Sequence, residues 1–137
     1  MTVDLVTRAR RATEFFNETV GRGVTEPPPE FRELWTEAPL IVPMRAAMEG
    51  TDYSGEDALE RFAQDSAASW ETLYMEVDSV TELDNGHVLA LGRLTATGRQ
   101  SGISVDSRVA WLYSFEGDRI AAARTFGSEE EARRAAA

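Results

Sequence analysis

The stretch NGHVLALGRLTATGRQSGISVDSRVAWLYSFEGDRIAAARTF, residues 85–126, decides the fold. It reads as three strands, Val88 to Thr97, Ile103 to Phe115 and Arg119 to Phe126. Between them stand Gly98 to Gly102 and Glu116-Gly117-Asp118, both of turn composition. In the middle strand Val109, Trp111, Tyr113 and Phe115 alternate with Arg108, Ala110, Leu112 and Ser114, and alternate residues of a strand face opposite ways. The first set is large and aromatic, as a surface packed under helices should be. The second is small and mixed, which suits a second copy of the sheet, so a homodimer through this outer face is expected.

Upstream, Asn85-Gly86 between apolar runs is a strong hairpin signal. It closes a strand that starts near Tyr74 and carries Met75, Val77, Val80 and Leu83, with Glu76 and Asp78 facing outward. Before that the period is helical. Thr2 to Val20 places Leu5, Ala9, Ala12, Phe16 and Val20 on one stripe, stopped by Gly21 and Gly23. Pro27-Pro28-Pro29 opens a short helix with Phe31, Leu34 and Trp35, which Pro39 ends, and Leu40 to Val42 is extended. Ser54, with Asp57 three residues on, opens another helix whose stripe is Leu59, Phe62, Ser66, Ser69 or Trp70, and Leu73. Ser128 with Glu131 caps a terminal helix. Helices followed by a meander with short turns give an α+β order without crossover helices. The 137 residues, 42% of them hydrophobic, suffice for a single domain, 1–137.

Composition narrows the chemistry. There is no cysteine, which removes disulfides and thiolate chemistry and suits a cytoplasmic home. All fourteen basic residues are arginine, so no lysine can form a Schiff base; this usage also fits a GC-rich bacterial genome. His87 is the only histidine and follows a turn, so neither a metal centre nor another cofactor is expected. A net charge of −10 argues against nucleic acid. No apolar run approaches the ~20 residues of a membrane span, and no membrane partner is expected. Ser101, between Gly98 and Gly102, sits in a strand-to-strand loop, the wrong context for a nucleophile elbow.

The order of short motifs resembles the nuclear transport factor 2-like superfamily and, within it, the SnoaL-like group. The motifs are Phe16-Asn17, Leu40-Ile41-Val42-Pro43-Met44, Tyr53-Ser54-Gly55, Leu91-Gly92-Arg93, Ser101-Gly102, Phe115-Glu116-Gly117-Asp118-Arg119-Ile120 and the close from Ser128 to Ala132. They cover nearly the whole chain. The resemblance implies a cone-shaped, strongly curved antiparallel sheet wrapped around the N-terminal helices, with an internal pocket. It also implies a choice among isomerases, polyketide cyclases, epoxide hydrolases, dehydratases and non-catalytic binding proteins, which fold alone does not make. The isomerase base falls at Val42, its oxyanion-hole aspartate at Trp111 and its first-helix tyrosine near Thr13; the hydrolase Asp-Arg-Asp set falls at Gly92, Leu94 and Thr125. Neither chemistry keeps its acids and bases at these places.

Three readings follow. The first is a protein that binds a small hydrophobic or polycyclic molecule, with Phe16, Trp35, Phe62 and Leu94 lining the pocket. Trp111, Tyr113, Thr125 and a capping Tyr53 complete that set. The second is an enzyme of the cyclase, isomerase or hydrolase kind whose acid–base residues have moved, Asp52 and Tyr53 being the candidates. The third is a non-catalytic dimerisation or interaction module with a filled core. Arg93 has the parity of a surface residue and suits a carboxylate partner.

Overall fold

The computed structural model describes residues 4–43 and 52–137. Thr2 and Val3, read as the start of the first helix, and Met44, the end of one motif, lie outside the described residues. Helix α1 runs Leu5–Glu18, α2 Pro29–Arg32, α3 Ala58–Ser69 and α4 Glu129–Ala136. The strands are β1 (Trp35–Val42), β2 (Tyr53–Ser54), β3 (Trp70–Glu82), β4 (His87–Gly98), β5 (Ser104–Glu116) and β6 (Arg119–Phe126). They form one six-stranded sheet in the order β2-β1-β6-β5-β4-β3.

This sheet corrects the expected architecture. The α+β class holds, but the sheet is open and mixed rather than a strongly curved antiparallel cone. β1 pairs with β6 in parallel, and β2 and β3 are edges that do not meet. At the free side of β3, Asn17 does the work of a neighbouring strand. Its Nδ2 donates to the Met75 carbonyl at 2.9 Å, and its Oδ1 accepts from the Met75 N–H at 2.8 Å. Both backbone groups of a buried edge-strand residue are thus satisfied, a pair of bonds worth about 1–3 kcal/mol together.

Local signals account for the hairpins. Asn85 (φ 62°) and Gly86 (φ 73°) both take left-handed backbone, and the Leu83 N–H donates to the His87 carbonyl at 2.8 Å to close β3 on β4. The apolar spacing Met75, Val77, Val80 slips by one position, and a bulge makes the slip good. Val77 pairs with Gly92 while Ser79 pairs with Leu91, leaving Asp78 as the extra residue. Val77 and Val80 therefore pack into the same core. A second shift between Ser114 and Phe115 does the same for Ile120 against Ala123.

Three helix boundaries differ from expectation, one of them the end of α3, which stops at Ser69 so that Trp70 and Leu73 already lie in β3. Trp35 opens β1 rather than closing α2, and the strand continues through Pro39 to Val42. The pairing with β6 is irregular between Trp35 and Leu40, one of the places where a strand tolerates a residue without an N–H. Ser54 lies in β2, and α3 starts at Ala58 without a side-chain cap. By contrast Ser128 does cap α4, accepting from the Glu131 N–H at 3.2 Å.

The outer face of the sheet is not left for a second copy alone. Ala132 of α4 packs with Leu89 and Ala110, flanked by Leu83, Leu91 and Phe126. The remainder is charged: Arg93 pairs with Asp106 at 2.6 Å and Arg108 with Asp78 at 2.8 Å. These pairs are largely exposed and contribute little to stability.

Candidate functional site

On the inner face, α1, α2 and α3 cover the sheet and leave a cavity of about 80 Å³. Phe16 of α1 and Phe62 of α3 close it from the helix side, their rings stacked at 6.0 Å between centroids. Leu94 of β4, Trp111 and Tyr113 of β5, and Thr125 of β6 form its floor. Trp35 of β1 stands at its side, edge-on to Phe31 at 5.9 Å. The floor residues gather because Ala90 pairs with Trp111 and Trp111 with Thr125 across three strands, so inward parity is shared.

Sequence reasoning passed over Ser66 and Trp70 as site residues, though both line this cavity. The available signal was a serine on the apolar stripe of α3. All three tryptophans of the chain, Trp35, Trp70 and Trp111, stand on the wall. Among the described residues that line it there is no Asp, Glu, Arg or His. Of the positions singled out by the sequence resemblance, Val42, Leu94, Trp111 and Thr125 are uncharged wall residues, whereas Thr13 and Gly92 are not on the wall.

Tyr53 and Asp52 stand elsewhere. Tyr53 is fully buried behind Phe62, with ring centroids 5.5 Å apart, and is not part of the cavity wall. Its hydroxyl donates to Asp65 Oδ2 at 2.7 Å, and Arg61 lies over its ring. Asp52 is exposed. Tyr113, which does line the cavity, bonds Thr13, which does not. Thr13 Oγ1 lies 3.1 Å from the Ala9 carbonyl and 3.2 Å from the Tyr113 hydroxyl. Either hydroxyl can be the donor of the second bond.

Both tyrosines titrate above their ordinary value. Burial is the main cause for Tyr113, and the bond to Thr13 opposes it. For Tyr53 burial acts first, then the hydrogen bond and negative charge of Asp65, against the charge of Arg61. A raised folded-state value means a contribution that is whole below the unfolded value of about 10 and is lost as pH climbs above it. Unfolding free energy is therefore expected to fall from about pH 10 upward, by up to about 1.4 kcal/mol per pH unit per tyrosine. Urea unfolding across pH 9–11 checks this: Tyr113→Phe must flatten the slope, and an unchanged slope refutes the linkage.

No protein-family model matches the chain, and no curated protein matches it by sequence. Solved structures do. A nuclear transport factor 2-like protein of Anabaena variabilis is 24% identical, with a TM-score of 0.67 over 94% of this chain and 96% of that one. A nuclear transport factor 2-like protein of unknown function from Burkholderia pseudomallei is 17% identical, with a TM-score of 0.71 over 96% and 97%. The chain has the nuclear transport factor 2-like fold. A protein of Catenulispora acidiphila with a ketosteroid isomerase-like fold, solved in complex with trimethylamine, is 14% identical with a TM-score of 0.66 over 94% and 88%. At these identities the nuclear transport factor 2-like fold is shared, and the site is not thereby transferred. Among the described residues no helix is long and apolar enough to cross a membrane, and no group of three or more potential metal ligands occurs.

Proposed function

We propose that this protein is a SnoaL-like binder of a small, neutral, apolar organic molecule, held in the cavity by shape and aromatic contact without an acid–base pair. The observation that carries the reading is the wall itself, three tryptophans and two stacked phenylalanines with no charged group among the described lining residues. A charged ligand would lose its hydration there with nothing to replace it. Enzyme chemistry at Asp52 and Tyr53 lacks comparable support, because the Tyr53 proton is engaged by Asp65 away from the wall. Size restricts the ligand too. An apolar cavity of ~150 Å³ accommodates benzene, so about 80 Å³ suits a compact molecule or single small ring, and a polycyclic one requires wall side chains to move. A homodimer through the outer face belongs to this reading only where α4 leaves the sheet uncovered.

Tryptophan fluorescence is the direct test, since every indole of the chain borders the cavity. Titration with small neutral cyclic compounds is expected to give a saturable change and to raise the melting temperature. Their carboxylate analogues should give neither. Equal binding of the carboxylates, or no response to any neutral compound, overturns the proposal.

A further inference from the structure

A cavity of about 80 Å³ is smaller than the ~150 Å³ that holds a benzene ring, so a larger occupant must displace part of the wall. Close packing holds most of the wall aromatics in place. Phe16, Trp35, Trp111 and Tyr113 are each at most 8% exposed and belong to the main core. Among the described lining aromatics, Phe62 and Trp70 are the partly exposed ones. Trp70 opens β3 opposite Gly98, and its carbonyl accepts from Arg99 Nη2 at 3.2 Å. Phe62 stands on α3, whose start has no side-chain cap. Its ring has two aromatic neighbours: Phe16 of the wall, stacked at 6.0 Å, and Tyr53 behind it, tilted at 5.5 Å.

Tyr53 is itself fixed. It is 1% exposed, and its hydroxyl donates at 2.7 Å to Asp65, an exposed carboxylate three residues beyond Phe62 on α3. Arg61, the residue before Phe62, donates to the Ser54 carbonyl at 2.6 Å and lies 5.7 Å from the centre of the Tyr53 ring. The helix segment that carries Phe62 therefore grips β2 on either side of it. Phe62 can retreat from the cavity only against Tyr53, and Tyr53 yields only when its bond to Asp65 opens. Hydrogen bonds to a carboxylate are among the stronger ones. We propose that Tyr53, held by Asp65, is a positioning residue for Phe62 and thereby sets the size limit of the cavity, admitting single small neutral rings and disfavouring fused ones. A two-ring ligand binds only the fraction of molecules in which the bond is open, and its apparent affinity is reduced by that fraction. A one-ring ligand escapes this cost. The inference rests on the proposal that the cavity binds a neutral apolar ligand.

The test titrates pyrrole and indole calorimetrically into the intact protein, two neutral compounds that share a ring N–H and differ by a fused benzene ring. The unaltered protein is expected to prefer pyrrole by roughly tenfold or more. Tyr53→Phe keeps the ring and loses the hydroxyl, and Asp65→Ala removes the acceptor at an exposed position. Each is expected to cut the preference roughly fivefold or more by raising the open fraction. Asp65→Asn is expected to keep it, since an amide oxygen still accepts the Tyr53 proton. A purely structural Tyr53 would lower the melting temperature of Tyr53→Phe and leave the preference where it was, which overturns the assignment. So does Asp65→Asn behaving as Asp65→Ala, or an unaltered protein that binds indole as tightly as pyrrole. Each of these results leaves the cavity reading standing. Binding of neither compound overturns the cavity reading and this inference with it.

Discussion

Gly92→Ala is expected to cost about 3 kcal/mol or more of folding stability, enough to unfold much of a chain whose total lies near 5–15 kcal/mol. A methyl group at Gly92 would overlap the Glu76 carbonyl oxygen and stand 2.9 Å from the Glu76 carbonyl carbon and 3.0 Å from Val77 Cα. These are backbone atoms in the strand segment that leads into the Asp78 bulge, so no side-chain rotation relieves the overlap. Gly127→Ala is the matched control, since an added Cβ there meets nothing within 4 Å; its effect should stay within about 0.5 kcal/mol. Urea unfolding monitored by circular dichroism decides, and equal midpoints for the two variants would show that β3 yields at the bulge. Any residue with a Cβ meets the same crowding at Gly92.

Trp111→Ala is expected to lower stability by about 3–5 kcal/mol and to change what the cavity accepts. Trp111 is 5% exposed at the centre of β5, opposite Ala90 on β4 and Thr125 on β6. Removing the indole deletes its packing against the core and joins its volume to the existing cavity, and the surrounding strands can close the gap only in part. Binding to the folded state alone stabilises it by mass action. Indole added in millimolar excess is therefore expected to restore several degrees of melting temperature to the variant and to leave the parent unmoved. Differential scanning fluorimetry across an indole series checks both halves. A variant that loses stability but gains nothing from indole would mean that the strands collapse into the space.

Much of this site was legible because its determinants are local. Strand parity put Trp111 and Tyr113 on one face, and the helical stripe pointed Phe16 and Phe62 inward, where they do line the cavity. Tyr53 illustrates the limit. The resemblance suggested a residue capping the pocket, yet its partners are Phe62 and Asp65, the latter twelve positions away, which bury the ring and draw the hydroxyl aside. Trp35 illustrates the opposite case. Its role on the wall was legible while its secondary structure was not, because spacing with Phe31 and Leu34 mimics a helix and only pairing with Ile120 makes it a strand.

The chain by itself determined the β3–β6 meander, the inward aromatic face, the Asn85-Gly86 turn and the Ser128 cap. Each rests on backbone preferences or side-chain periodicity within a few residues. Tertiary structure alone decided the parallel β1–β6 pairing that opens and mixes the sheet. It alone set the Asn17 clamp on Met75, 58 residues away, and the occupation of the outer face by α4. These arise from contacts between distant segments, which competing hydrogen-bond partners and packing settle jointly and which leave no periodic trace in either segment.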